Sequence, residues 1–370
     1  MAGSICDVLP SAAALLGHPV AVDALGLTES VGAVARVGLL LVDGMGAHLL
    51  PQMCAHAPLL ASVMAGGAGR LDNLVCTFPS TTPTSLVSLA TGTSAGEHGI
   101  LGFTVKLPDT DRVLHHIMWR DDPPPAQWQP VPTWFERLTE AGISARAVLP
   151  AAFLGSGLTE AAYRGARLRP AGPHTDYAQQ VLDELDAAPG LVYAYTAELD
   201  TAAHLFGIGS RQWQQAAAQV DALVTRLVEA LPPDAALLVT ADHGGVNAQT
   251  RVDLDADPRL TSGVRVVAGE PRVRYLYTRA GAAADVLATW RELLGNRAEV
   301  CSREQAVAAG VFGPVHPRHL SRIGDVVVTC TGDTVVLATG HEPPQTARLV
   351  GFHGGSTPAE TEIPLITFRG

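Results

Sequence analysis

The 370-residue sequence predicts an α/β protein: a mostly parallel central sheet with helices on both faces, plus a small α+β insertion. Three observations lead to that expectation. Short, wholly apolar runs of strand length alternate with segments of helical length, the pattern of a sheet covered on both sides. Ionisable residues follow those runs directly, where open α/β sheets place their ligands. Beyond His243 the alternation stops and paired strand-like runs take over.

Taken in order, the strands are Val37–Val42, Ala145–Leu149, Leu191–Tyr195 and Ala235–Thr240, each followed by a polar or glycine-containing turn. The helices are Thr84–Ala90, Thr133–Ala141, His174–Ala187 and Ser210–Ala230. Asp121–Pro132, with five prolines, reads as a rigid surface loop. In the second region, Val264–Val267 and Arg272–Tyr277 read as an antiparallel hairpin turning at Glu270-Pro271. Helices follow at Ala282–Leu294 and Arg303–Ala309. A second hairpin is expected from Asp325–Thr329 and Thr334–Ala338, around Thr331-Gly332-Asp333. Residues 251–345 are therefore expected to form an inserted α+β cap or lid, with 1–250 and 346–370 as the main domain, rejoined at Ala347–Phe352.

Composition narrows the function. At 47% hydrophobic and 16% charged, the chain is too apolar for disorder. A net charge of −11 repels phosphate polymers, which argues against binding nucleic-acid polymers or anionic membranes. No apolar run approaches the roughly 18–20 residues that span a bilayer, and no basic stretch precedes Ala12–Leu16. Cys6, Cys54, Cys76, Cys301 and Cys330 lie far apart and read as reduced thiols, so a cytoplasmic location is expected.

Five segments hold residues suited to chemistry. Asp43 ends the apolar run before Gly44, where a rigid carboxylate suits a metal, although an Asp-Gly pair alone makes a turn. Ser80-Thr81-Thr82-Pro83-Thr84 enters a helix that ends at Thr91-Gly92. Hydroxyls there are ordinarily caps, but a helix N-terminus also suits a phosphoryl oxygen. Asp200 and His204 are four apart, so one helical turn aims both at one point. Asp242-His243 ends another apolar run, and His353 stands in a glycine-flexed strand end. Three Asp and three His together match two sites of mixed N/O ligation, the kind zinc accepts.

The order of these motifs resembles the alkaline phosphatase superfamily, and within it the nucleotide pyrophosphatase/phosphodiesterase and phosphonoacetate hydrolase branch. The matching motifs run from Asp43 to His353. The resemblance implies that Asp200, His204 and His353 bind one Zn2+, and Asp43, Asp242 and His243 the other, with Mn2+ an alternative. Counting back from Thr91-Gly92 places the family's threonine nucleophile at Thr82, with Thr81 one residue away. It further implies phosphoester hydrolysis through a phosphothreonine, acting on a small-molecule substrate.

Two departures stand out. His98-Gly99-Ile100 runs into Leu101-Gly102-Phe103, where nucleotide pyrophosphatases place asparagines, and Leu199 replaces a proline before Asp200. Phe103 in the asparagine's region favours an apolar or stacking group beside the phosphate. The resulting expectation is a phosphodiesterase or nucleotide pyrophosphatase. A phosphomonoesterase or phosphonate hydrolase is the alternative, should Arg265, Arg272 or Arg274 reach the site. A silent binding protein is disfavoured because all six ligands and the threonine are present. Phosphoglycerate mutases use serine and a long inserted domain, and sulfatases need an arginine in the nucleophile segment; neither is found here.

Overall fold

The computed structural model describes residues 3–370. Its centre is an eight-stranded sheet. In chain order the strands are β1 (Gly3–Ser4), β2 (Arg36–Val42), β3 (Arg70–Val75), β4 (Ala145–Pro150), β5 (Arg167–Ala171), β6 (Gly190–Thr196), β7 (Ala235–Thr240) and β8 (Glu362–Arg369). The spatial order is β1-β3-β8-β7-β2-β6-β4-β5, and only β8 runs antiparallel to its neighbours. From Val37 on, β2 is buried residue by residue, as are β6 and β7 throughout. Residues pointing to both sides of these strands are therefore covered, as sheets flanked by helices require.

β2 lies between β6 and β7, parallel to both, with Val42 opposite Thr196 and Leu41 opposite Thr240. The three strands thus end nearly level, at the spacing of about 4.8 Å that hydrogen-bonded strands impose. Whatever follows them in sequence is brought together.

A second, four-stranded antiparallel sheet has the order Val264–Glu270, Val273–Thr278, Val326–Cys330, Ala298–Ser302. It has its own apolar core, in which Leu254, Leu276, Val326 and Val328 surround Trp290. The indole N–H of Trp290 donates to Leu260 O at 3.0 Å, so the largest core side chain leaves no polar atom unpaired.

Several local expectations are corrected. The first hairpin turns at Pro271-Arg272, because Glu270 still pairs with Val273 as the last rung. Thr334–Leu337 does not pair with Val326–Cys330. Both edges of that strand are already occupied, so Thr334–Leu337 pairs in parallel with Thr250–Asp253. The proline-rich stretch is not purely a surface loop. Pro125–Trp128 makes a helical turn, and Trp128 and Gln129 are buried because His116 Nε2 and Ala161 O accept their N–H groups. Gly351–Phe352 pairs with Val246–Asn247, outside the central sheet; the chain rejoins that sheet through β8. Pro364 makes β8 look unlike an interior strand. It is tolerated because pairing with β7 begins only at Leu365.

The two sheets are tied by a fully buried ion pair. Arg272 Nε and Nη2 reach Glu360 Oε1 and Oε2 at 2.8 and 2.6 Å, and Glu360 Oε1 also accepts from Gly355 N at 2.8 Å. Removing one partner would strand the other charge. Arg272→Ala is expected to lower unfolding free energy by about 3–5 kcal/mol in denaturant titration; a loss under about 1 kcal/mol would show the pair is not integral.

Candidate active site

Each proposed ligand follows from the strand ends. Asp43 comes directly after β2, Asp242 two residues beyond β7, and Asp200 on the helix Glu198–Phe206 that follows β6. His204 is one turn further along that helix. Its Nε2 lies 3.1 Å from Asp200 Oδ2 and 3.2 Å from His353 Nε2. His243 Nε2 stands 3.4 Å from Asp43 Oδ1 and 3.5 Å from Asp242 Oδ2. The rings of His243 and His353 stack with centroids 3.6 Å apart. All six residues therefore converge. Their donor atoms include two groups of three within 4.8 Å of one another: Asp200, His243 and His353, and Asp43, Asp242 and His243.

The surroundings fix how these groups present themselves. His204 Nδ1 faces Gly351 O at 2.8 Å, His243 Nδ1 faces Gly244 O at 2.8 Å, and His353 Nδ1 faces Ser80 O at 3.0 Å. A carbonyl can only accept, so each Nδ1 carries a proton and each Nε2 is directed into the cluster, free to ligate once a cation displaces any proton held there, as between His204 and Asp200. That is the arrangement metal-binding histidines show. Asp43 Oδ2 accepts from the Tyr195 hydroxyl, while Gly44 N and His243 N both donate to Asp242 Oδ1 at 3.1 Å. The remaining oxygens, Asp43 Oδ1 and Asp242 Oδ2, are buried with no hydrogen-bond donor. Buried, donor-less carboxylate oxygens beside imidazole lone pairs fit a divalent cation.

Electrostatics agree with that fit. Burial pushes the Asp43 carboxyl well above its usual range, and the charges of Asp242 and Asp200 push it further. Burial likewise raises Asp242 despite His243. Burial would also raise Asp200, but the neighbouring His204 outweighs it and holds the carboxyl low. His204 is correspondingly lifted to about 9, burial opposing and Asp200 prevailing. Burial and His243 hold His353 well below the ordinary imidazole range.

Thr82 is the first residue of the helix Thr82–Thr91, and its Oγ1 lies 3.2 Å from His243 Nε2. Thr81, the cap residue, is fully buried, and its hydroxyl has no hydrogen-bond partner. The structure thus brings Thr82 to the cluster and leaves Thr81 behind it. Ser80 N and Gly354 O, 3.1 Å apart, bind the threonine segment to the His353 segment.

The cluster opens into a cavity of about 910 Å³ whose walls include Phe103, Phe153, Tyr195 and Phe352. Phe103 packs edge-on against His115 at 4.4 Å. The three arginines weighed from sequence are all engaged. Arg265 pairs with Asp111 at 2.9 Å, Arg274 with Glu342 at 2.6 and 2.8 Å, and Arg272 with Glu360. Tyr195 and Glu270 also line the cavity and were not singled out from sequence. Tyr195 read as the last apolar residue of a strand. Glu270 read as part of a turn.

Strand ends, paired carboxylates and lone-pair imidazoles around a threonine define a phosphoester hydrolase of the alkaline phosphatase superfamily. Comparison with known proteins gives the finer placement. The chain belongs to the type I phosphodiesterase / nucleotide pyrophosphatase family, whose profile matches residues 37–356. No curated protein sequence matches it. Among solved structures, it is similar to murine ectonucleotide pyrophosphatase/phosphodiesterase 5, with a TM-score of 0.72 at 17% identity over 90% of this chain and 88% of that one. An inactive threonine-to-alanine variant of the murine protein, in complex with AMP, gives 0.71 at 18% identity over 89% and 87%. Phosphonoacetate hydrolase from Sinorhizobium meliloti 1021, in complex with phosphonoformate, gives 0.69 at 19% identity over 90% of each chain. Among the described residues no helix is long and apolar enough to cross a membrane.

Gly44 joins two ligand-bearing elements and tests the geometry. Its φ is +74°, and a Cβ there would lie 2.9 Å from Asp200 Cβ. Gly44→Ala should cost about 1–2 kcal/mol in backbone strain alone and push Asp200 away from Asp43. Calorimetry should show weaker binding of divalent cations; unaltered affinity would mean the contact is slack.

Proposed function

We propose that the protein hydrolyses phosphodiester or nucleotide pyrophosphate bonds with two zinc ions, through a phosphothreonine on Thr82. The observation that carries this reading is the placing of Thr82 Oγ1 3.2 Å from His243 Nε2, a member of the convergent cluster that His204 completes through Asp200 and His353. Asp200, His204 and His353 would hold one metal, and Asp43, Asp242 and His243 the other; Mn2+ suits the same set less well, being the harder ion. Two bound cations would supply a lowered pKa for the attacking hydroxyl and charge neutralisation for the departing oxygen.

The chain's own residues do the rest. The Thr82 hydroxyl gives up its proton and its oxygen forms a bond to phosphorus as the bond to the leaving alcohol or phosphate breaks, and the leaving oxygen takes up a proton from solvent. Water then attacks phosphorus, breaks the bond to the Thr82 oxygen and restores its proton. The N–H groups of Thr82 and Thr84, on either side of Pro83 at the start of Thr82–Thr91, would meet a phosphoryl oxygen with the positive end of the helix dipole. Tyr195 holds Asp43 in place. The murine protein's inactive form carries a threonine-to-alanine change, which supports the role given to Thr82.

Diesters are favoured by the charge around the site. A monoester dianion needs a cationic or multi-amide clamp. Arg265, Arg272 and Arg274 are each paired with a carboxylate, and the asparagine of the pyrophosphatases is replaced by the Leu101–Phe103 segment. Phe103 and its aromatic neighbours would face the second substituent. We assign residues 251–345 the role of specificity wall, since Arg265–Pro271, Arg274, Ala338 and His341–Pro343 of this segment line the cavity. All five cysteines are unpaired, which supports a reducing, cytoplasmic setting.

Three measurements test the reading. Elemental analysis should find about two zinc ions per chain, and EDTA should abolish activity; metal-free protein with full activity in EDTA would overturn it. Thr82→Ala should cut turnover by about 10³-fold or more with metal content retained, and an inactive Thr81→Ala beside an active Thr82→Ala would shift the nucleophile by one residue. Finally, kcat/KM for bis-p-nitrophenyl phosphate should exceed that for p-nitrophenyl phosphate; a ratio of about ten the other way would mean a monoesterase or phosphonate hydrolase.

A further inference from the structure

Where the second sheet meets the segment after the nucleophile helix, three histidines and an arginine are buried together. His98, His116 and His319 are 0% exposed and Arg322 is 4% exposed. None of them belongs to the metal cluster. Arg322 Nη1 donates to Gly99 O and Trp128 O at 2.7 and 3.0 Å, and its guanidinium lies 3.3 Å from the Trp128 ring centroid. Among the described residues no carboxylate pairs with it, and burial beside Arg318 lowers it to about 9.

The hydrogen bonds leave each histidine a single neutral form. His98 Nδ1 accepts from Ile100 N at 3.1 Å, so its Nε2 carries the proton and donates to Ser88 Oγ at 2.8 Å. His116 Nε2 accepts from the Trp128 indole N–H at 3.1 Å, and its Nδ1 donates to Gly102 O at 2.7 Å. His319 Nε2 accepts from Arg318 Nε at 3.0 Å, and its Nδ1 donates to Gly96 O at 2.9 Å. A backbone amide, an indole and a guanidinium can only donate. A second proton on any of the three rings would therefore face an N–H, turning a hydrogen bond into a repulsion.

Nothing nearby would stabilise that charge. The titratable and cationic groups facing the three rings are one another, Arg322, Arg318, His316 and His115. The nucleophile helix Thr82–Thr91 and the turn Pro125–Trp128 carry no ionisable side chain. Glu97 is turned to Ser94, Lys106 to Leu107 O and Thr110 O, Arg112 to Asp122 and Arg274 to Glu342. Tyr275 and Tyr277 donate to Leu101 O and Arg322 O. Burial accordingly holds His98 well below the ordinary imidazole range, His116 at about 3 and His319 at about 4.

We propose that His98, His116 and His319 form an acid-operated latch: protonated together, they release the segment 96–103 and the second sheet from the nucleophile helix. Their bonds span that boundary. Ser88 lies on the nucleophile helix and Gly96 and Gly102 on the segment, while His319 and Arg322 lie in the turn Pro317–Arg322 that leads into the second sheet's strand Val326–Cys330. Phe103, which lines the cavity, ends the segment, and His116 N donates to its carbonyl at 3.0 Å. Opening would thus unmake one wall of the cavity and leave the metal ligands in place. A released imidazole takes up a proton near its ordinary value of about 6.5, whereas the closed ones do not. Closure is therefore complete above that value and weakens as pH falls through the window down to about 4, by up to about a thousandfold per pH unit for three protons.

The test follows backbone amide exchange in metal-loaded, full-length protein between pH 7 and 4, corrected for the intrinsic exchange rate at each pH. For peptides covering 96–103 and 317–322, the logarithm of the opening constant should rise by about two to three per pH unit of acidification. The central strands 36–42 and 235–240 should stay protected. A slope below about two, or opening of the central strands in the same step, overturns the latch. His319→Asn keeps a donor for Gly96 O but cannot take up a proton, and should lower the slope by about one; an unchanged slope also overturns it. Should that variant fail to fold, His116→Gln, whose amide oxygen can still accept from Trp128, takes its place with the same expectation. If neither folds, the wild-type slope decides.

Discussion

The level ending of three parallel strands is the constraint on which the rest depends. With Val42 opposite Thr196 and Leu41 opposite Thr240, the residues after β2, β6 and β7 have nowhere to go but toward one another. Those residues supply Asp43, Asp200 and Asp242, three carboxylates that would repel in a shared pocket. The fold tolerates them because the strands behind them are wholly apolar and buried, and because backbone N–H groups of Gly44 and His243 and the Tyr195 hydroxyl take up part of the charge. What remains is the unrelieved pair of oxygens on Asp43 and Asp242. Apolar burial offsets that cost, and a cation would remove it.

The same constraint explains what could be read from the sequence. Asp242 and His243 were legible because two ionisable groups ending an apolar run need partners, whereas Asp43 before Gly44 read alone as a turn and gained its meaning from the set. Asp200 and His204 were legible through helical spacing, and His353 only through the order of motifs, since a lone histidine among glycines has no local signature. The parallel core was legible for the same reason: Val37–Val42 and Ala235–Thr240 are apolar without interruption. What failed were features fixed by partners distant in sequence. β8 contains a proline that only its pairing register excuses, and Arg70–Val75 is too polar and half-exposed to read as a strand. Thr334–Leu337 looked like half of a hairpin until both edges of Val326–Cys330 proved occupied. Glu270 sat in a predicted turn, where charge is ordinary, and Arg272 opened a predicted strand. Only the tertiary structure reveals that one is buried unpaired and the other is locked to Glu360.

Arginines usually mark phosphate sites, so their disposition here is informative. Arg272 and Arg274, neighbours but one on the same hairpin, are both almost wholly buried, and each is held by a carboxylate and a backbone carbonyl. They fasten the second sheet to the segments that follow Thr334 and Val336. Arg322 is turned inward too, lying 3.3 Å from the Trp128 ring centroid and donating to Gly99 O at 2.7 Å. Cations that could have clamped a phosphate dianion are instead held by carboxylates, backbone carbonyls and the Trp128 ring.

That fastening also decides what the second sheet can do. It grips the segment after the nucleophile helix at several points that are chemically alike. His319 Nδ1 donates to Gly96 O at 2.9 Å, Arg322 to Gly99 O, and the Tyr275 hydroxyl to Leu101 O at 2.7 Å. In the other direction, the Thr104 hydroxyl donates to Gly269 O at 2.8 Å. Gly99 shows how close the fit is, since a Cβ there would fall 2.5 Å from Arg322 Nη1. Each of these bonds ends on a backbone carbonyl that would be left buried and unpaired if the sheet lifted away. A hinged lid needs an interface that opens cheaply, and this one does not. We propose that the second sheet therefore stands as a fixed wall beside Thr82, so that selectivity is decided by what fits on entry rather than by closure afterwards.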